Sequence, residues 1–249
     1  MRLAKIDFFF IIIIIVIEIR RKNMKYEIKG GSFPVVLCDL DKGEKMITES
    51  GAMVWQTPGI KMETSGGGLG KMFSKAFSGE NIFQNIYTAE ADNTTIAFGS
   101  CFPGSIVPME IGPGNEFIVQ KKSFLASTAG VELSIHFNKK LSAGLFGGEG
   151  FIMQKLSGNG IAFVEIDGEL MEYDLAAGQE LIVDTSYVAG FQTTVSMDIR
   201  QVPGLKNKFL GGEGLFNTHL TGPGKVWVQT MPIAAVANAI MQFMPLQTK

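Results

Sequence analysis

Cysteine and histidine are almost missing from this chain of 249 residues, with two of each. Two cysteines, Cys38 and Cys101, cannot staple a small secreted scaffold, and they form no C-x-x-C pair of a zinc or redox site. They read as free buried thiols of a reducing compartment. His136 and His219 stand apart on alternating segments, which makes them poor metal ligands, and no cysteine nucleophile lies near either one. Charge of one sign is lacking too: 22 Lys and Arg against 24 Asp and Glu leave a formal net charge of −2. That balance removes the main electrostatic argument for nonspecific nucleic-acid binding. No apolar run is long enough to span a bilayer. Phe8 to Ile17 is about half of the roughly 20 residues such a helix needs, and Asp7 and Glu18 bracket it. Glu18-Ile19-Arg20-Arg21-Lys22 offers no small-residue cleavage site, which argues against a secretory signal. Residues 1–23 read as an apolar leader outside the domain, a mis-called start or an added expression sequence, with synthesis beginning at Met24. A membrane-attached leader is the alternative.

Glycine is abundant, and it is arranged in repeats. Gly147-Gly148-Glu149-Gly150-Phe151 followed by Leu156-Ser157-Gly158-Asn159-Gly160 returns as Gly211-Gly212-Glu213-Gly214-Leu215 followed by Leu220-Thr221-Gly222-Pro223-Gly224. Ser78-Gly79-Glu80-Asn81-Ile82-Phe83 is a degenerate copy. A second motif travels with the first: Gly43 then Met46-Ile47-Thr48, Gly114 then Phe117-Ile118-Val119, Gly178 then Leu181-Ile182-Val183. Three units are therefore in register, over about residues 26–99, 106–165 and 169–229. The period of roughly sixty to seventy residues exceeds the 20–50 of most solenoids, so three small units closing round a pseudo-threefold axis fit better than an open stack.

Within each unit the period is that of strands. Val131, Leu133, Ile135 and Phe137 alternate with Glu132, Ser134 and His136, and Val195, Met197 and Ile199 repeat the pattern. Asn159-Gly160 and Gly222-Pro223-Gly224 break apolar runs where hairpins must turn. The expected fold is all-β, a sandwich or barrel, with residues 24–249 as a single compact domain. Helix is expected only around Leu69–Phe77 and over about 232–244, where Pro232 precedes an apolar stretch at helical spacing.

Several of these segments carry a family likeness. Ser78-Gly79-Glu80-Asn81-Ile82-Phe83 with Tyr87-Thr88-Ala89, Pro103-Gly104-Ser105-Ile106-Val107-Pro108, the two Gly-Gly-Glu-Gly phrases and Val228-Gln229-Thr230-Met231-Pro232 resemble the altered inheritance of mitochondria protein 24 family. The resemblance covers about Met24 to Met244. It implies a fold like that of the tryptophan RNA-binding attenuation protein (TRAP-like), a short double-stranded β-helix repeated within one chain, and assembly as a homotrimer. Fungal members are associated with mitochondrial inner-membrane organisation, and no catalytic or ligand residue carries over.

Candidate chemistry must then come from the residues themselves. Glu80, Glu149 and Glu213 are equivalent carboxylates in glycine-rich loops, and a threefold axis could bring them together to bind a cation or share a proton. The plainer reading has each accept hydrogen bonds from amides of its own turn, since three converging carboxylates repel one another. Basic connectors precede them: Lys71 and Lys75, Lys139 and Lys140, and Arg200 with Lys206 and Lys208. These could form an anion-binding patch for a lipid surface or an RNA backbone, or simply solvated loops. Gly66-Gly67-Gly68-Leu69-Gly70-Lys71 is no phosphate loop, because its first glycine is missing and Met72 replaces the magnesium-holding Ser or Thr.

No nucleophile–base pair or metal-ligand set appears, so no catalytic residue, cofactor or metal is expected. The expected role is a non-enzymatic oligomeric scaffold or interaction protein, cytoplasmic or attached to a membrane surface. A small-ligand- or RNA-binding module by fold analogy is the alternative, with nucleic acid disfavoured by charge. The C-terminal segment, too apolar to stand in water, should dock on its own body, a sister subunit or a protein partner.

Overall fold

Alternating apolar residues separated by glycine turns produce strands throughout. The computed structural model describes residues 24–49, 51–65, 84–139, 150–202, 216–241 and 243. Its first strands are β1 (Lys25–Lys29), β2 (Val35–Leu40), β3 (Lys45–Glu49), β4 (Met53–Gln56), β5 (Ile60–Ser65), β6 (Gln84–Ala89) and β7 (Thr94–Gly99). Next come β8 (Gly104–Ile111), β9 (Phe117–Gln120), β10 (Phe124–Thr128), β11 (Val131–Lys139), β12 (Phe151–Gly158) and β13 (Gly160–Asp167). The last are β14 (Leu170–Leu175), β15 (Glu180–Asp184), β16 (Val188–Gln192), β17 (Ser196–Gln201), β18 (Phe216–Thr221) and β19 (Gly224–Gln229), followed by helix α1 (Ile233–Met241). The described residues are thus all-β with one short C-terminal helix. That helix is shorter than the 232–244 expected, and the helix expected near Leu69–Phe77 lies outside the described residues.

Four antiparallel sheets form, in the orders β1-β2-β7-β4, β5-β6-β3-β10-β13-β8, β11-β12-β9-β16-β19-β14 and β15-β18-β17. One three-strand order recurs as β2-β7-β4, β8-β13-β10 and β14-β19-β16, and another as β5-β6-β3, β11-β12-β9 and β17-β18-β15. The six-stranded sheets arise where these trios join. Ser127 and Thr128 of β10 pair with Ile47 and Met46 of β3, while Gly190, Phe191 and Gln192 of β16 pair with Val119, Ile118 and Phe117 of β9. β4, β10 and β16 each carry a register break at the same place, between Met53 and Trp55, Phe124 and Ala126, and Val188 and Gly190. Such a bulge bends a strand and sharpens its twist, letting it leave one sheet and edge another.

Three apolar clusters fill the interior, and Phe98, Phe151, Phe163 and Phe191 are fully buried within them. Each such side chain contributes roughly 1.5–3 kcal/mol on transfer from water. The alternation expected in β11 holds: Val131 and Leu133 are buried, Ile135 and Phe137 half-buried, and Glu132 and His136 exposed, although the register with β12 shifts between Ile135 and Phe137. Tyr87 meets Phe98, and Phe117 meets Trp227, edge to face at 5.9 and 5.3 Å. Of the two thiols, Cys38 is buried as expected but Cys101 is exposed. No helix among the described residues is long and apolar enough to cross a membrane.

Successive blocks are tied by backbone contacts at their starts. The Gly104 amide donates to Ser32 O at 2.8 Å, the Gly168 amide to Pro103 O at 2.9 Å, and the Met231 amide to Asp167 O at 3.1 Å. Gly104 has no room for a side chain, because a Cβ there would collide with the backbone of Ile166 and Gly168. Neither obstacle can rotate away. Gly104→Ala should therefore destabilise the fold by about 1–3 kcal/mol, the range of core overpacking; chemical denaturation that shows an unchanged midpoint would refute this reading of the junction.

Candidate functional site

A cavity of about 690 Å³ lies where the three blocks and α1 come together. Its wall takes corresponding residues from each block. Gly51 and Ala52 lie between β3 and β4, Lys122 and Ser123 between β9 and β10, and Ser186 between β15 and β16. Gly99, Glu165 and Gln229 each stand five residues beyond the first residue of β7, β13 and β19 and also line it. Pro232, Ile233, Ala234, Ala237 and Asn238 cover one side. The lining thus joins apolar walls to a few polar groups, as small-molecule sites do.

Those polar groups are positioned differently in each block. In the third, Gln229 is saturated: its Nε2 donates to Ser186 O at 3.1 Å and its Oε1 accepts from the Asp167 amide at 3.2 Å. Asp184 accepts from both the amide and the hydroxyl of Ser186, at 2.9 and 2.7 Å, holding that turn. In the second block the corresponding residue is Glu165, whose carboxylate accepts from the Ser100 side chain and the Cys101 backbone. Its Oε2 is buried and has no hydrogen-bond partner, and neither has Nε2 of Gln120. Both residues line the cavity.

Burial pushes the Glu165 carboxyl above its ordinary range, and the neighbouring Asp167 charge adds to the effect. Asp167 is also raised, chiefly by burial, although the Ile233 amide and Lys122 pull it back. That amide donates to Asp167 Oδ2 at 2.8 Å, so a carboxylate of the second block holds the first turn of α1. α1 is only partly buried: Ile233, Ile240 and the following Phe243 remain exposed. The Cys101 thiol is raised by partial desolvation and by the Glu165 and Asp167 charges, opposite to the shift a thiolate nucleophile requires.

Most side chains singled out in the sequence fall elsewhere. Glu80, Glu149 and Glu213 lie outside the described residues, as do Lys71, Lys75, Lys140, Lys206 and Lys208. Lys139 is the last residue of β11. Arg200 is engaged on its own sheet, with Nε donating to Asp198 at 2.8 Å and Nη1 lying 3.2 Å from His219 Nδ1. His219 in turn contacts Glu180 at 2.8 Å, and Lys155 on β12 makes the matching contact with Glu116 at 2.8 Å. No group of three or more His, Cys, Asp or Glu able to hold a metal ion occurs among the described residues. Gln120, Glu165 and Asp167 were not legible as site residues, because each sits in an ordinary strand and they meet only through folding. The one available signal was comparison of aligned positions, where Glu165 stands opposite Gly99 and Gln229.

Known proteins share this build. An uncharacterised protein of Streptococcus pyogenes serotype M6 is 26% identical over 234 residues, spanning 90% of this chain and 92% of that protein. A crystal structure of a Streptococcus pyogenes protein superposes with a TM-score of 0.72 over 89% of this chain and 100% of the other, at 21% identity, a likeness of fold alone. The family model described as mitochondrial biogenesis AIM24 matches residues 26–231, and the chain belongs to that family.

Proposed function

We propose that this protein is a binding module, and not an enzyme, that takes a small and largely apolar ligand into the cavity beneath α1. The observation carrying this reading is a largely apolar cavity whose lining residues Gln120 and Glu165 each hold a buried polar atom without a hydrogen-bond partner, Nε2 and Oε2. An unsatisfied buried polar group costs roughly 1–3 kcal/mol. A ligand group that accepts from the first and donates to the second recovers that cost, and a primary carboxamide on an apolar body does both. The raised Cys101 thiol speaks against nucleophilic catalysis at the same place.

The symmetry of the lining supports a TRAP-like arrangement of three repeats about a pseudo-threefold axis running through the cavity. Divergence among the three corresponding residues, Gly99, Glu165 and Gln229, then turns a symmetric hole into one oriented site. A second reading, an oligomeric scaffold expected as a trimer, draws on the exposed apolar residues of β4 and β15. Unpaired thiols suit a reducing compartment such as the cytoplasm.

Two outcomes are expected. Aromatic and aliphatic primary carboxamides, screened by thermal shift, should include compounds that raise the melting temperature with the logarithm of their concentration, by about 2.7 kcal/mol of stability at a hundred times Kd. Gln120→Leu should abolish the shift, and a screen in which no compound stabilises the protein would defeat the proposal. The second concerns pH. A carboxyl whose folded pKa lies above its ordinary 4.5 stabilises the fold below pH 4.5, and that contribution is lost as pH rises through the folded value. Glu165→Gln should therefore melt higher than the parent at pH 7, and the difference should close toward pH 4; an unchanged difference across that range would contradict it.

A further inference from the structure

The side of the cavity formed by α1 is a helix that stands largely in water. Among the described residues of α1 none is buried. Ala234 and Asn238, one turn apart, line the cavity and are half-buried. Ile233 and Ala237, on the adjacent row, line it too but are exposed, so the wall passes along them from the interior to the outer surface. Ile240 completes that row at the spacing i, i+4, i+7 and is 56% exposed. Phe243 follows at 88%, its amide donating to Ile240 O at 3.0 Å.

The polar groups that fit a carboxamide lie back from this row. Glu165 stands one strand repeat, roughly 6.6 Å, before Asp167 on β13. Asp167 Oδ2 accepts from the Ile233 amide at 2.8 Å, so the end of β13 meets the start of the row. From Ile233 to Ile240 the row then advances about 10 Å along the helix axis. A head group held at Glu165 therefore has apolar surface leading away from it, past the first turn of α1. The helix contains no Lys, Arg, Asp or Glu. A helix that met lipid head groups would carry basic residues, and one that met only water would carry charge on this face.

We propose, on the footing that the cavity binds a carboxamide as above, that its ligand is an amphiphile: a primary amide of a straight alkyl chain. The head meets Gln120 and Glu165, and the chain leaves the cavity along Ile233, Ala237 and Ile240. The path from Glu165 to Ile240 takes a chain on the order of a dozen carbons. Lying there, the chain removes from water its own methylenes together with the exposed side chains of Ile233 and Ile240. A compact ligand of equal area would leave that row in water.

Calorimetric titration of the full chain with hexanamide, octanamide, decanamide and dodecanamide, each below its solubility limit, tests the chain's path. Kd should fall about two- to fourfold per added methylene, as for half to full burial. Ile240→Ser, at an exposed position, should cut the ratio of octanamide to dodecanamide Kd by about five- to tenfold, and Ile240→Leu should restore it. Hexanamide, too short to reach Ile240, reports the cavity alone. Binding of hexanamide with no gain in the longer amides overturns the proposal and leaves the cavity reading intact, as does a gain that Ile240→Ser leaves unchanged. If no amide binds at any length, the cavity reading fails and takes this one with it. Light scattering in which Ile240→Ser changes the mass of the ligand-free protein would put a second copy on the row. Loss of binding to phosphatidylcholine vesicles in that variant would put a bilayer there; either result, with an unchanged ratio of Kd values, overturns the proposal.

Discussion

Antiparallel pairing across the seams, β3 with β10 and β9 with β16, is the interaction on which the rest of this molecule depends. A buried strand edge cannot leave its amides and carbonyls unpaired, so each block must present its neighbour with an edge of matching register. The bulges in β10 and β16 make this possible by letting each strand leave its own block and edge the preceding one. Once two seams are closed, the clusters around Phe163, Trp227 and Phe191 have walls on all sides. The cavity exists because the connections flanking those strands converge at one end.

The corresponding polar side chains of the second and third blocks are satisfied to different degrees at that end. Gln229 is fully satisfied by Ser186 and the Asp167 amide, the arrangement a purely structural position would adopt. Glu165, in the corresponding place, is half-buried, raised in pKa and left with a buried Oε2 that has no hydrogen-bond partner, and Gln120 Nε2 lacks one as well. Natural folds keep such costs where recognition needs them, since a polar group already desolvated loses little more when a ligand meets it. Asp167 adds a link between blocks, because its carboxylate holds the first turn of α1 over the cavity.

Period-two alternation, glycine punctuation and the paired repeat motifs determined an all-β chain with a short C-terminal helix, and the ordered motifs determined the family. These signals are local: they report which face of a strand is buried and where the backbone must turn. The strands' partners, the presence of Gln120 and Glu165 on the wall of one cavity, and the exposure of Val54, Trp55 and Ile182 were decided by tertiary structure alone. Those depend on contacts between residues tens of positions apart, and alternation looks the same on a paired strand as on a free edge. The conspicuous glutamates and lysines of the repeat drew attention by recurrence. The cavity instead draws its chemistry from the places where the repeats differ.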